Sequence, residues 1–200
     1  MKKLFVSLAL FSVTVGAFAQ GSINFQNRTA IGKGRAIYGV SGSNPMAAAQ
    51  GNDADYSNRD KLTGTAYTAG LFAEKDGAWV LIGTSAFRTT VADAGLLQGV
   101  PVLKPDGFKA GSTVNLVLRV WDSKATSWED VTKDSNAGLA RGESLKISYG
   151  VGGDNNGSPV LQKNLLDSGL QSFGLYIVPE PSVVALGALG LGALLLRRRK

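Results

Sequence analysis

The chain of 200 residues contains no cysteine and no histidine. Because it has no cysteine, it forms no disulfide bond. Because it also has no histidine, it lacks the Ser–His and Cys–His pairs of nucleophilic enzymes and the zinc sites built from cysteine and histidine. No Gly-x-Ser-x-Gly nucleophile elbow and no phosphate-binding glycine loop is present. Carboxylates and lysines are what remains for catalysis, and we expect a protein without enzymatic activity and without a cofactor.

The net positive charge of the chain comes mostly from its two ends. The formal net charge is +6, from 21 basic and 15 acidic residues. Six of the basic residues are Lys2, Lys3 and the last four residues, whereas Glu180 is the one acidic residue in the terminal segments. The remaining 15 basic and 14 acidic residues leave the central part near +1. A clustered basic surface is not indicated, so we expect no nucleic-acid partner.

The last 23 residues form a pattern of three parts. The first is Val178, Pro179, Glu180 and Pro181, in which two prolines without backbone N–H groups prevent a continuing strand or helix. Residues 182–196 follow as an uncharged apolar run, which would measure roughly 22 Å as a helix. The chain then ends in four cations: Arg197, Arg198, Arg199 and Lys200.

Two interpretations of the apolar run 182–196 are open. Its length is short against the roughly 30 Å hydrocarbon core of a bilayer, as expected for a buried helix of a folded domain. It is, however, apolar on all sides, and the cations that follow it are typical of the cytoplasmic end of a membrane span. We therefore predict a transmembrane helix at 182–196 with a basic tail, 197–200, in the cytoplasm.

A Val-Pro-Glu-Pro motif, a short hydrophobic helix and an arginine cluster at the extreme C terminus resemble the PEP-CTERM sorting signal of Gram-negative bacteria. The resemblance covers residues 178–200. It implies that an exosortase, an integral-membrane enzyme, recognises and removes this segment. It also implies a surface or extracellular-matrix protein associated with exopolysaccharide or biofilm production. A weaker resemblance to some PEP-CTERM proteins of environmental bacteria extends to Asn24-Phe25 and to residues 169–173.

The N-terminal residues have the pattern of a secretory signal peptide. Lys2 and Lys3 precede an apolar stretch, 4–15, and Ala17 and Ala19 are small residues at the positions expected before a cleavage point. The alternative is an uncleaved N-terminal anchor. We expect residues 1–19 to be removed after engagement of the Sec machinery and signal peptidase. The protein is then exported, held transiently in the inner membrane by its tail, and finally placed at the cell surface or outside the cell.

Between these ends, residues 20–177 show short alternating apolar runs separated by Gly, Asn, Asp and Pro, which predicts one all-β domain, a β-sandwich or jelly roll. The clearest strand is 113–122, and Asp76-Gly77 predicts a hairpin between strands 66–74 and 79–85. Further strands are predicted at 22–26, 35–40, 87–91, 144–151 and 171–178.

Three connections in this domain are long: 41–64, 92–112 and 122–143. Connections of this length are uncommon unless they are functional or mobile. The third has capping-box spacing for a short helix, through either Ser127 with Asp130 or Thr126 with Glu129.

Asp122 and Glu129, close to Trp121 and Trp128, are the one carboxylate pair suited to glycoside hydrolysis. The competing interpretation is structural: Asp122 ends a strand, and Glu129 lies in the first turn of a helix, where its charge is favourable.

Oxygen-rich segments at Asp53 and Asp55 and at residues 154–157 are of the kind that bind calcium. Asx turns without a metal explain them equally well, and we assign no metal ligand.

Aromatic side chains could provide a platform for stacking sugars. Trp79 and Trp121 lie in predicted strands and are expected to pack in the domain, whereas Trp128 and Tyr56 lie in loops and are the better exposed candidates. The alternative to a purely structural matrix protein is therefore a carbohydrate-binding module for exopolysaccharide.

Overall fold

The computed structural model describes residues 20–29, 34–155 and 157–179. In these residues the regular structure consists of strands, one four-residue helix and two 3₁₀ turns. The prediction of an all-β fold is confirmed at this level. The signal peptide, the tail helix and its basic end lie outside the described residues.

The strands, in chain order, are β1 (Ile23–Phe25), β2 (Ile37–Tyr38), β3 (Ala49–Gln50), β4 (Tyr67–Lys75), β5 (Ala78–Ser85), β6 (Val100–Leu103), β7 (Thr113–Asp122), β8 (Ala140–Glu143), β9 (Ile147–Gly150), β10 (Gly153–Asn155), β11 (Ser158–Val160), β12 (Phe173–Gly174) and β13 (Tyr176–Ile177). The helix α1 is Trp128–Val131, and the 3₁₀ turns are Val91–Asp93 and Asp134–Asn136.

The main sheet has six strands and is built around β7. On one side β7 pairs antiparallel with β4, which in turn pairs with β5. On its other side β7 pairs antiparallel with two strands, with β8 along its second half and with β9 along its first half. At the far edge β13 pairs with β8, so the order across the sheet is β13-β8-β7-β4-β5. Smaller sheets join β1 to β6, β10 to β11, and β12 to both β2 and β3.

The inner face of this sheet supplies much of the hydrophobic core. Strand β7 contributes Val114, Leu116, Leu118 and Val120, all buried, as their alternation in the sequence predicts. They belong to one cluster with residues from the smaller sheets, including Phe25 of β1 and Phe173 of β12. Burial of these large side chains is the main stabilising contribution available to a chain without disulfides.

The hairpin between β4 and β5 is closed by the predicted two-residue turn. Asp76 and Gly77 have φ angles of 51° and 80°. A turn with positive φ at both central residues matches the right-handed twist of the flanking strands, and Asp-Gly accepts this conformation. Lys75 and Ala78 are the pair on either side of the turn.

Several strand predictions need correction. The segment 87–91 is not a strand: Phe87 forms a single bridge with Leu97, and a 3₁₀ turn follows. The strand predicted at 144–151 begins at Ile147, because the Ser144 Oγ accepts a hydrogen bond from the Leu118 backbone N–H, 3.1 Å, in place of a regular ladder partner. Strands β3, β6, β8, β10 and β11 were not predicted.

The long connection 41–64 is attached to the rest of the fold by Arg59. Its guanidinium donates hydrogen bonds to the backbone carbonyl oxygens of Gly39, Ala47 and Leu175, at 2.8, 2.5 and 2.6 Å. Burial lowers the pKa of Arg59 from its usual value. One side chain thus joins the residue after β2, the connection itself and the residue between β12 and β13.

We expect replacement of Arg59 by alanine to lower the free energy of unfolding by roughly 2–4 kcal/mol, because three carbonyl groups lose a charge-assisted donor. Arg59→Lys should recover only part of this loss, since an ammonium group cannot reproduce the planar fork. Urea titration followed by tryptophan fluorescence measures both values. The control is Arg35→Ala at an exposed position, which should change stability by less than about 0.5 kcal/mol. Equal stability of Arg59→Ala and this control would contradict the assignment.

Candidate functional site

The first two residues of the proposed sorting motif lie at the β13 edge of the main sheet. Ile177 pairs with Ala140, and the Val178 carbonyl oxygen accepts a hydrogen bond of 2.9 Å from the Gly138 backbone N–H. Val178 and Pro179 line a small cleft beside α1 and the 3₁₀ turn that follows it. The chain therefore leaves the sheet directly at the start of the motif. Glu180, Pro181 and the basic residues Arg197–Lys200 lie outside the described residues, as do Ala17 and Ala19.

The two members of the proposed carboxylate pair occupy the positions that the structural interpretation gives them. The Asp122 Oδ1 accepts a hydrogen bond of 2.9 Å from the Lys124 backbone N–H, which closes a turn after β7. Glu129 is exposed in the first turn of α1. The helix cap follows the first predicted spacing, since the Asp130 N–H donates to Ser127 Oγ at 3.1 Å.

In each of the two oxygen-rich segments an aspartate carboxylate accepts a hydrogen bond from a nearby backbone N–H. The Asp55 Oδ1 accepts a hydrogen bond of 2.8 Å from the Ser57 N–H, and this bond lowers the pKa of Asp55. The Asp154 Oδ1 accepts one of 2.7 Å from the Gly157 N–H in the turn between β10 and β11. Within the described part of the chain, no three acidic side chains come together in a group that could hold a metal ion.

Tyr56 is not the exposed sugar platform that its position in a loop predicts. Its ring is half-buried and stacks on Tyr38, with 4.3 Å between ring centroids. Its hydroxyl lies 2.8 Å from the carbonyl oxygens of both Gly51 and Ser172. Burial raises the pKa of Tyr56 to about 12, and the neighbouring Tyr38 adds to the shift. This side chain fixes the connection 41–64 to the segment before β12.

Arg119, on the outer face of β7, is surrounded by aromatic rings. Its guanidinium carbon lies 4.8 Å from the ring centroid of Phe72, 5.0 Å from that of Trp128 and 5.7 Å from that of Trp79. Its Nε is 3.2 Å from a carboxylate oxygen of Glu143 on β8. Contacts of a cation with aromatic faces stabilise such an arrangement more strongly where water is excluded.

Polar side chains extend this cluster toward the β4–β5 hairpin. Glu74 accepts hydrogen bonds from the Asn115 amide at 2.8 Å and from the Lys146 ammonium at 3.3 Å, and these bonds lower the pKa of Glu74. The Lys146 nitrogen also lies 5.5 Å from the ring centroid of Trp79. We call this surface the outer face and define it by Phe72, Glu74, Trp79, Asn115, Arg119, Trp128, Glu143 and Lys146.

The outer face continues into a cleft of about 490 Å³ between the β4–β5 turn and residues 107–115. Glu74 and Asn115 belong to both, and Lys75, Asp76 and Lys109 also line the cleft. A volume of this size is in the range of small-molecule sites. Aromatic rings, carboxylates, an amide and cations therefore lie along one continuous surface.

Sequence reasoning identified some parts of the outer face and missed its assembly. The alternation of β7 places Asn115, Arg119 and Trp121 on the second face of the strand, and Trp121 is buried there against Trp128. The ring of Trp128 is half-buried rather than exposed. The strand register that brings Glu74 to Asn115 has no signal in a single sequence.

No protein-family model, no curated protein and no solved structure matches this chain. Among the residues that the structure describes, no helix is long and apolar enough to cross a membrane.

Stability should fall in alkaline solution through Tyr56. A phenol whose pKa is higher in the folded than in the unfolded protein contributes its full stabilisation below pH about 10 and loses it as the pH rises through about 12. Unfolding free energies measured from pH 8 to 12 should decline in the wild type and decline less steeply in Tyr56→Phe. A residual slope is expected from Tyr67 and Tyr149, whose pKa values burial also raises. Superimposable slopes of the two proteins would be evidence against this role.

Proposed function

We propose that this chain is a non-enzymatic exported protein of the cell surface or extracellular matrix, sorted and processed by an exosortase through residues 178–200. The observation that carries the proposal is the order of the tail: Pro-Glu-Pro, an uncharged apolar run, and four terminal cations. The signal-peptide pattern of residues 1–19 supports it. We interpret the body as a single β-sandwich, in which the main sheet packs against the smaller sheets around one core.

The candidate carboxylates have the structural positions that the competing interpretation of the sequence expects, at the end of β7 and in the first turn of α1. Asp122 is engaged in a backbone turn and Glu129 is exposed on a short helix. Neither lies in the wall of the cleft beside the outer face.

The exit of the chain from the sheet supports a short connection between domain and tail. Val178 is still hydrogen-bonded to Gly138, and three residues separate it from the apolar run. A processing enzyme that recognises Pro-Glu-Pro would therefore act close to the folded domain. Truncations should be placed after Pro179 so that the β13 edge stays intact.

The test of sorting compares the intact chain with a form that lacks residues 180–200, each expressed in a host with an exosortase. The intact chain should appear first in the membrane fraction and later, with the tail removed, at the surface or in the medium. The truncated form should reach the medium without a membrane stage. A third form, with Glu180→Gln alone, preserves the apolar run and the cations and tests recognition of the motif.

Mass spectrometry of each fraction locates the two cleavage points, the first of which we expect just before Gln20. If intact and truncated forms reached the medium identically and the intact chain kept its full mass, sorting through the tail would be refuted.

A second candidate function, binding of a polysaccharide, is favoured by the outer face and its cleft. The rings of Trp79 and Trp128 provide apolar surfaces of the kind that stack on sugar C–H groups. Glu74, Asn115 and Lys146 supply donors and acceptors for hydroxyl groups at the border of the cleft. Arg119 lies over both rings, and Lys146 also lies over that of Trp79.

We expect residues 20–179 to bind at least one polymer on a glycan array, and Trp79→Ala to weaken this binding by roughly 1–3 kcal/mol, the usual contribution of an aromatic ring at a binding surface. Tyr56→Phe, remote from the outer face in its contacts, serves as the control and should bind as the wild type does. Absence of binding to any polymer would leave the structural role alone.

A further inference from the structure

The two edges of the main sheet are unlike each other. At the β13 edge the strand is two residues long, and the Ile177 backbone N–H donates a hydrogen bond of 2.8 Å to the Pro45 carbonyl oxygen. At the opposite edge, β5 is eight residues long and, in the described part of the chain, pairs with β4 alone. A long unpaired edge strand presents backbone donors and acceptors to any further strand.

One half of β5 is approached by other segments and one half is open. Near its end, Leu103 packs on Gly83, where an added Cβ would lie 2.8 Å from a leucine methyl carbon, and the Gly99 N–H donates to Ser85 Oγ at 3.1 Å. Along residues 78–82, no described residue forms a backbone hydrogen bond on the side away from β4.

The open half is free of charged residues and of proline, and its one irregularity is a bulge at its far end, where Ile82 has no partner in the register with β4. Val80 and Leu81 are 43% and 45% exposed, although both are large and apolar. The whole strand, Ala78–Ser85, contains no charged residue and no proline. Edge strands of monomeric proteins usually carry lysine, proline or inward-pointing charges that prevent pairing.

The turn geometry determines which backbone groups point outward. In a hairpin with a two-residue turn, the flanking residues Lys75 and Ala78 exchange both of their hydrogen bonds, and the pattern then alternates. The N–H and C=O groups of Trp79 and Leu81 consequently face away from β4. They are spaced as an antiparallel partner strand requires.

We propose that residues 78–82 pair antiparallel with the same residues of a second copy of this chain, across a twofold axis beside Val80. In this register Trp79 of each copy pairs with Leu81 of the other. Each of these two residue pairs forms two backbone hydrogen bonds, about four in total. The same two contacts set an indole ring against an aliphatic side chain, a favourable cross-strand pair. At the twofold axis, between these two residue pairs, Val80 of one copy lies opposite Val80 of the other.

A second copy is the occupant that the charges favour. An identical uncharged strand introduces no like-charge contact, and residues 20–177 are together near +1, so long-range repulsion between two copies is small. The strand is also self-complementary, because the exposed Leu81 of each copy lies opposite Trp79 of the other copy.

The absence of cysteine allows a direct test by disulfide cross-linking. Directly opposed residues of a non-hydrogen-bonded antiparallel pair have Cα atoms about 4.5 Å apart, within the range that a disulfide spans. The full chain with Val80→Cys, oxidised with copper–phenanthroline, should form a covalent dimer on a non-reducing gel. Its rate should exceed that of Val91→Cys by at least about tenfold, because pairing raises the effective thiol concentration. Val91 is 91% exposed and lies in a 3₁₀ turn.

A second variant tests the backbone hydrogen bonds. Leu81→Pro removes an N–H group that faces away from β4, a place where an edge strand tolerates proline, and should reduce cross-linking of Val80→Cys to the Val91→Cys rate. Circular dichroism checks that the β structure is retained; where it is lost, Leu81→Lys replaces the proline variant. Cross-linking of Val80→Cys at the Val91→Cys rate, or rapid cross-linking that neither Leu81 variant reduces, would overturn the proposal.

Discussion

Strand β7 is the element on which the remaining architecture depends. It pairs with β4 on one side and with β8 and β9 on the other, so three strands take their register from it. Its inner residues enter the large core, while Arg119 and Trp121 organise the aromatic cluster on its outer side. A strand buried on both faces of an antiparallel sheet is unusual, because one face is commonly solvated. Here α1, which contains Trp128, and Trp79 of β5 pack against the second face.

Polar side chains stabilise the connections that the hydrophobic core does not reach. Arg59 satisfies three carbonyl groups around the connection 41–64. Asn27 is fully buried and does the same on the other side, donating to the carbonyl oxygens of Arg35 and Gly95 and accepting from the Leu97 N–H. A buried amide with all of these partners satisfied costs little and specifies one arrangement. Long connections can in this way be ordered without disulfides.

The features predictable from the sequence are those with a local physical cause. Alternation predicts β7, Asp76-Gly77 predicts the hairpin, and one of the two possible capping spacings, Ser127 with Asp130, is the cap of α1. Strands of two to four residues that contain Gly, Pro or Asp, such as β6 and β10, have no such local cause. They form because a neighbouring strand supplies their hydrogen-bond partners. The same holds for the outer face, whose residues come from four strands, one helix and the connection between β8 and β9. For Tyr56 the sequence leads to a wrong prediction. Its position in a loop indicates an exposed ring, whereas the ring of Tyr38 stacks on it.

The order β13-β8-β7-β4-β5 separates the proposed roles in space. The chain leaves the sheet at the β13 edge, where Val178 is bonded to Gly138, and the self-pairing strand lies at the opposite edge. The proposed sorting segment and the proposed self-pairing strand therefore belong to opposite edges of the sheet. An antiparallel pairing about a twofold axis continues the sheet without inverting it, so side chains on the same face of both copies remain on one side. In the proposed dimer the two outer faces adjoin across β5, which doubles the length of the surface that the proposed polysaccharide binding would use.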